Sequence, residues 1–244
     1  LRTLKLIVQY DGTDYVGWQR QPNGVSIQEL IERAIEPIEG RPVTVIGAGR
    51  TDAGVHALGQ VASVQLEAAI DAPALARALN ATLPEDVRVA SAEEAAPDFN
   101  ARFSAKGKVY AYRISNGSFL PPFERRYVWH LPGPLDVDRM REGAKALVGT
   151  HDFSAFRAAG SDAATSERTI RELRIEIEPE RVTVTVAGDG FLRYMVRAIV
   201  GTLVEVGQGR RPVESVAAAL ASRDRAHAGP TAPAKGLVLL RVDY

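Results

Sequence analysis

The chain has 244 residues, enough for one large domain or two of about 120, and its 30 Lys and Arg balance 30 Asp and Glu. A neutral whole-molecule field excludes nucleic-acid capture by net charge, so any such binding must rest on local patches. There is no cysteine, which excludes disulfides, thiolate nucleophiles and cysteine zinc sites.

Leu4 to Tyr10 reads as a strand ending at the Asp11-Gly12 turn. A helix begins at Ser26, which forms a capping-box pattern with Glu29, and carries the apolar stripe Ile27, Leu30, Ile31, Ala34, Ile35 and Ile38 until Pro37 and Gly40 stop it. Val43 to Ile46 and Gln60 to Leu66 have strand character, a helix follows from Ala72 to Asn80 with Asp71 as its cap, and a short strand runs from Val87 to Ala90. The first half is thus βαββαβ. The second half gives a strand from Val109 to Ser115, a helix from Asp138 to Val148, and strands Glu172 to Glu178 and Arg181 to Ala187. A long helix from Phe191, an extra helix from Val213 to Ala221 and a final strand from Leu237 to Val242 complete it. We therefore expect an α+β protein of two ferredoxin-like, RRM-like domains with mainly antiparallel sheets and a catalytic cleft between them, residues 1–104 and 105–244. The N-terminal apolar run is too short for a signal peptide, and no uncharged stretch of about 18 apolar residues offers a membrane span, so the expectation is a cytoplasmic protein with no membrane partner.

The stretch Gly47 to Ala57 places one carboxylate, Asp52, between Arg50 and a glycine turn, on a loop joining two strands. Asp-Ala-Gly is also ordinary turn chemistry, so the loop alone does not establish catalysis. Gly47-Ala-Gly49 lacks the Gly-Lys-Ser/Thr ending of a phosphate loop, and no Gly-x-Gly-x-x-Gly follows a strand. His56, His130, His151 and His227 share no ligand spacing, so no metal is expected. A glycosidase would need a second carboxylate, for which Asp11 or Asp14 would be guesses.

Two acid-free basic stretches supply the local patches. Between Asp98 and Glu124 lie Arg102, Lys106, Lys108 and Arg113, interleaved with Phe103, Tyr110 and Tyr112, the mix that holds RNA backbone and bases or, equally, an ordinary sheet face. Between Asp189 and Glu205, Arg193 and Arg197 stand four apart on the long helix among Leu192, Met195, Val196, Ile199, Val200 and Leu203. An arginine buried there needs a partner, and Asp52 is the candidate for Arg197.

Four ordered motifs resemble the tRNA pseudouridine synthases of the A type: Tyr10 to Gln21, Gly49 to Ala57, Asn100 to Ala105 continuing through Tyr110 to Tyr112, and Phe191 to Gly201. Phe153 to Arg157 and Ala234 to Leu239 add to the match, which spans nearly the whole chain. One departure is Gly160-Ser161, where family members often carry a cysteine after the glycine. The resemblance implies isomerisation of uridine to pseudouridine without cofactor, in the anticodon stem-loop of tRNA at nucleotides 38 to 40, by a homodimer. It implies that Asp52 is the essential aspartate, acting on the ribose, on the uracil or in deprotonation, with Tyr110 and Arg197 as catalytic partners. Arg50 then holds the flipped nucleotide, and Tyr110, Lys106, Lys108 and Arg193 bind substrate. The reading from another class is a non-catalytic tandem ferredoxin-like RNA-binding protein, in which Asp52 is only a turn residue.

Overall fold

The computed structural model describes residues 1–158 and 164–244, so Gly160 and Ser161 lie outside the described residues. It is a mixed α and β structure, its strands mostly antiparallel. The contacts divide it into two compact units, Leu1–Lys106 with Val238–Tyr244, and Gly107–Leu237. No helix among the described residues is long and apolar enough to cross a membrane.

The first unit contains β1 (Arg2–Tyr10), α1 (Ile27–Glu39), β2 (Ile46–Gly47), β3 (His56–Leu66), α2 (Ala72–Thr82) and β4 (Val87–Ala95). Strand β1 lies antiparallel between β3 and β4, and β2 is antiparallel on β3. The chain's last strand, β10 (Leu237–Asp243), pairs in parallel with β3, Val238 opposite His56. Alternation in β1 buries Leu4, Leu6, Val8 and Tyr10. Ile27, Ile31 and Ile35 of α1 and Leu75 and Leu79 of α2 are buried with them, the stripes that helical spacing dictates.

Both caps act as the residues suggest: the Ser26 side chain accepts from the Glu29 N–H, and that of Asp71 from the Ala74 N–H. Pro37, however, does not stop α1. A proline forfeits one backbone bond, and the helix continues until Gly40, in the left-handed region at φ 78°, sends its N–H back to the Glu36 carbonyl. The β-branched run Val43 to Ile46 forms far less strand than its residues favour. Val45 is instead tied to α1, its N–H donating to Glu32 Oε1 and its carbonyl accepting from Gln28 Nε2, each at 3.0 Å. Strand β4 runs five residues past the expected Ala90, because its polar end, Ser91 to Ala95, pairs along β1 down to Thr3 and sets Glu93 and Glu94 against Lys5 and Arg2.

The second unit contains β5 (Gly107–Ser115), β6 (Trp129–His130), α3 (Val137–Lys145), β7 (Gly149–Asp152), β8 (Glu167–Glu178), β9 (Arg181–Gly188), α4 (Met195–Gly207) and α5 (Ser215–Ser222). Its strands pair in the order β5-β9-β8-β7, all antiparallel, with the short β6 parallel on β5. Helix α4 is buried nearly all round, from Met195 through Val204 apart from Arg197 and again at Val206 and Gly207, as expected of so apolar a helix. The segment 228–232 lies against it: the Gly229 N–H donates to Thr202 Oγ1 at 2.8 Å, and any Cβ on Gly201 would stand 1.8 Å from the Pro230 carbonyl oxygen.

Candidate active site

In the first unit Asp52 is half-buried on the segment between β2 and β3. Its backbone forms an isolated antiparallel bridge with Gly17, the Trp18 N–H donates to the Thr51 carbonyl at 3.1 Å, and the Val55 N–H closes the turn onto the Asp52 carbonyl at 3.1 Å. Gly17 adopts φ 105°, and a Cβ there would lie 2.4 Å from the Thr51 oxygen. Only glycine supplies both that conformation and that closeness. The motif after β1 and the motif before β3 therefore clasp one another.

Buried neutral groups complete the clasp. The Tyr10 and Thr51 hydroxyls are 2.8 Å apart, and Gln60 Nε2 donates to the Gly49 carbonyl at 2.9 Å and to the Tyr10 hydroxyl at 3.4 Å. Burial pushes the Tyr10 phenol up to about 12, so it remains an uncharged hydrogen-bonding group. Beside it, buried His56 accepts the Gly12 N–H at Nδ1, 3.0 Å, and lies 3.1 Å from the Asp11 carboxylate. Arg50 is exposed on the same loop. The roles of Tyr10, Gly17, Thr51 and Gln60 escape sequence reasoning because their partners lie far away in the chain, although the first three stand in the quoted motifs.

In the second unit Tyr110 sits on β5 opposite Val186, 7% exposed, with its ring edge-on to Phe191 at 5.4 Å and 89°. Tyr112, two residues along, is fully buried in the core. Its hydroxyl donates to the Pro233 carbonyl at 2.7 Å, its ring meets Trp129 edge-on at 6.3 Å, and burial raises its phenol well above the ordinary tyrosine range. Lys108 is half-buried on the same strand opposite Gly188. Lys106, in the first unit, is exposed, and its N–H donates to the Asp243 carbonyl at 2.8 Å. Arg102 lies 5.4 Å from the ring centre of Phe103, which is 78% exposed.

The long helix begins four residues later than Phe191, so Arg193 is not on it. Tyr194 has φ 65°, a left-handed turn that ordinary helix continuation cannot contain, and α4 starts after it. Arg193 is exposed ahead of that turn, while Arg197 lies in the first turn of the helix, half-buried. Arg197 Nε donates to the Ala232 carbonyl at 2.7 Å, and its guanidinium stands 4.7 Å from the Tyr194 ring centre. Arg211 is occupied structurally, paired with Glu205 and donating to the His227 carbonyl at 2.8 Å.

The sequence profile described as tRNA pseudouridine synthase matches residues 6–104 and 144–244. A tRNA pseudouridine synthase A of Acetivibrio thermocellus and one of Geobacter sulfurreducens are each 48% identical over 244 residues, covering 100% of this chain and of theirs. One of Myxococcus xanthus is 50% identical over 99% of this chain and 91% of its own. Among solved structures, a chain from the crystal structure of a Cbf5-Nop10-Gar1 complex aligns at a TM-score of 0.40 and 15% identity, over 97% of this chain and 48% of that one, a likeness too remote to extend the assignment. By profile and by near-half identity over its full length, the chain belongs to the tRNA pseudouridine synthase family.

Proposed function

We propose that this protein converts uridine to pseudouridine in the anticodon stem-loop of tRNA, at nucleotides 38 to 40, with Asp52 as the essential carboxylate and no cofactor. The observation that carries the reading is the clasp around Asp52, in which backbone bonds to Gly17 and Trp18 and the Tyr10, Thr51 and Gln60 network fix one acid on its loop. The reaction is an isomerisation: the bond from ribose C1′ to uracil N1 breaks, the base turns, and C1′ bonds to C5, which gives up its proton while N1 gains one. No atom is added or lost, so a fixed carboxylate and a proton relay suffice.

In this reading Asp52 is ionised and Arg197 is the guanidinium that keeps it charged and aimed. Tyr110 stacks on the uracil and offers its hydroxyl for the C5 proton. Arg50 holds the nucleotide flipped from its stem, while Lys106, Lys108 and Arg193 take phosphates. The first unit, which the last strand joins in place of the expected boundary of 104/105, then brings the Asp52 loop, and the second the Tyr110 strand and the Arg197 helix, each in the manner of a ferredoxin-like domain. The working form is a cytoplasmic homodimer.

Pseudouridine mapping on unmodified tRNA tests the proposal. Asp52→Asn is expected to lower turnover by at least about 10³-fold, the upper range for a positioned acid or base, with tRNA affinity and melting temperature nearly unchanged. Undiminished turnover in that variant overturns the role of Asp52. Wild-type protein that binds tRNA without forming pseudouridine is a non-catalytic binder, and release of free uracil would mark a hydrolase.

A further inference from the structure

Tyr194 is held in a backbone conformation that non-glycine residues rarely adopt, φ 65° and ψ 1°, at the entrance to α4. The strain is fixed from both sides. Before it, the Ala158 N–H donates to the Arg193 carbonyl at 3.0 Å and the Met195 N–H to the Leu192 carbonyl at 3.0 Å; after it, the Tyr194 carbonyl accepts the first helical bond from Ala198 at 2.9 Å. The side chain makes no capping bond to the helix that follows. Its ring is instead flanked by two cations, the Arg197 guanidinium at 4.7 Å and that of Arg193 at 5.0 Å, and Arg193 Nη2 lies 3.4 Å from its hydroxyl. Strained residues concentrate where geometry serves a site.

A long arginine side chain has many rotamers, and a single hydrogen bond leaves most of them open. Two contacts restrain the end of the Arg197 side chain: the Ala232 carbonyl takes its Nε, and its guanidinium carbon lies over the Tyr194 ring. The carbonyl is itself placed by the backbone, since the Ala232 N–H donates to the Arg197 carbonyl at 3.1 Å. A hydrogen bond at Nε and an aromatic ring beneath the guanidinium together narrow the positions that the charged group can take.

We propose that Tyr194 is a positioning residue for the reaction: its left-handed turn and its ring set the orientation of Arg197, so that the guanidinium is already aimed when the target uridine arrives. The proposal rests on the reading of Arg197 as a participant in pseudouridine formation. It differs from a merely structural role because the ring, and neither the fold nor tRNA affinity, is what the reaction needs.

Single-turnover rates and tRNA affinity measured on full-length variants decide it. Tyr194→Leu is expected to lower the rate of pseudouridine formation by about 10- to 100-fold, the scale of a misplaced catalytic group, with affinity within about twofold of wild type. Tyr194→Phe, which keeps the ring, restores the rate. Tyr194→Gly relieves the left-handed turn while removing the ring, so it folds at least as stably as wild type yet remains as slow as the leucine variant. In an Arg197→Ala background, Tyr194→Leu costs nothing further, because its target is gone. A leucine or glycine variant with wild-type rate, a loss confined to affinity, or an additive loss in the Arg197→Ala background overturns the proposal. Full activity of Arg197→Ala alone is separately visible, and it overturns the underlying role of that arginine.

Discussion

The restraints around Asp52 include backbone bonds, a glycine pressed against a carbonyl and buried neutral hydroxyls, whereas those around Arg197 include a carbonyl and the face of a tyrosine. An aspartate has a short side chain, so fixing its backbone nearly fixes its carboxylate. An arginine carries its charge at the end of a long stem, so the guanidinium must be held directly. The two regions are accordingly vulnerable in opposite ways, the first to an added atom and the second to a lost ring.

The harshest way to break that contrast is Gly17→Ala. The methyl group would meet the Thr51 carbonyl oxygen at 2.4 Å and impose φ 105° on a residue with a Cβ. Strain of this kind costs about 1–3 kcal/mol before the clash is counted, and the loop that must yield is the one bearing Asp52. We expect at least that loss in urea unfolding, together with near-complete loss of pseudouridine formation. The mirror substitution in the other unit, Tyr194→Gly, leaves stability intact. A Gly17→Ala protein with normal turnover would show that the Asp52 loop is not held as described.

These asymmetries also explain what could be read before the fold was known. Helices α1 and α2 announce themselves through Ser26 and Asp71, because a cap is a local bond three residues long. Asp52, Tyr110 and Arg197 stand out through their motifs. The start of α4 does not, since nothing in the residues around Tyr194 distinguishes a left-handed turn from one more turn of helix, and Arg193 is consequently misplaced onto it. The strand expected at Val43 to Ile46 fails for a similar reason: propensity is overridden by Glu32 and Gln28, side chains 13 and 17 residues away that no local pattern relates to Val45. The Tyr10, Thr51 and Gln60 network is more distant still, and only packing brings it together.

Each unit also contains a carboxylate whose acidity is strengthened by hydrogen bonds, and the comparison extends to pH. In the first, Glu39 at the end of α1 accepts the N–H groups of Glu67 and Ala68 at 3.0 Å, with Arg41 alongside, and these bonds hold its carboxyl below its ordinary value of 4.5. In the second, the Ser154 hydroxyl and N–H lower Asp152 in the same way. A carboxylate with a depressed folded pKa stabilises the protein above its unfolded value, and that contribution disappears as pH falls through the folded value. Glu39→Gln should therefore be less stable than wild type at pH 7, with a shallower decline below about pH 4.5, so that the two unfolding curves converge in acid. Parallel curves from pH 7 to 3 would show that Glu39 is not titrating in the folded protein.

The mildest test returns to the clasp. Tyr10→Phe keeps the buried ring, which packs 6.3 Å from Trp18, and deletes only the hydroxyl that meets Thr51 and Gln60. Losing one buried hydrogen bond costs about 1 kcal/mol, with a further penalty if Thr51 Oγ1 is left without a partner. Because the backbone bonds from Gly17 and Trp18 remain, turnover should fall only a few-fold, far less than for Gly17→Ala. The wild-type phenol is pushed up to about 12 against 10.0 when exposed, so the stability it contributes is complete below pH 10 and is lost as pH rises towards 12. The phenylalanine variant lacks that alkaline loss, and its deficit relative to wild type should stay constant between pH 6 and 9. A deficit that varies across that window, or a turnover loss as deep as that of Gly17→Ala, would mean that the hydroxyl network, and not the backbone, is what holds Asp52.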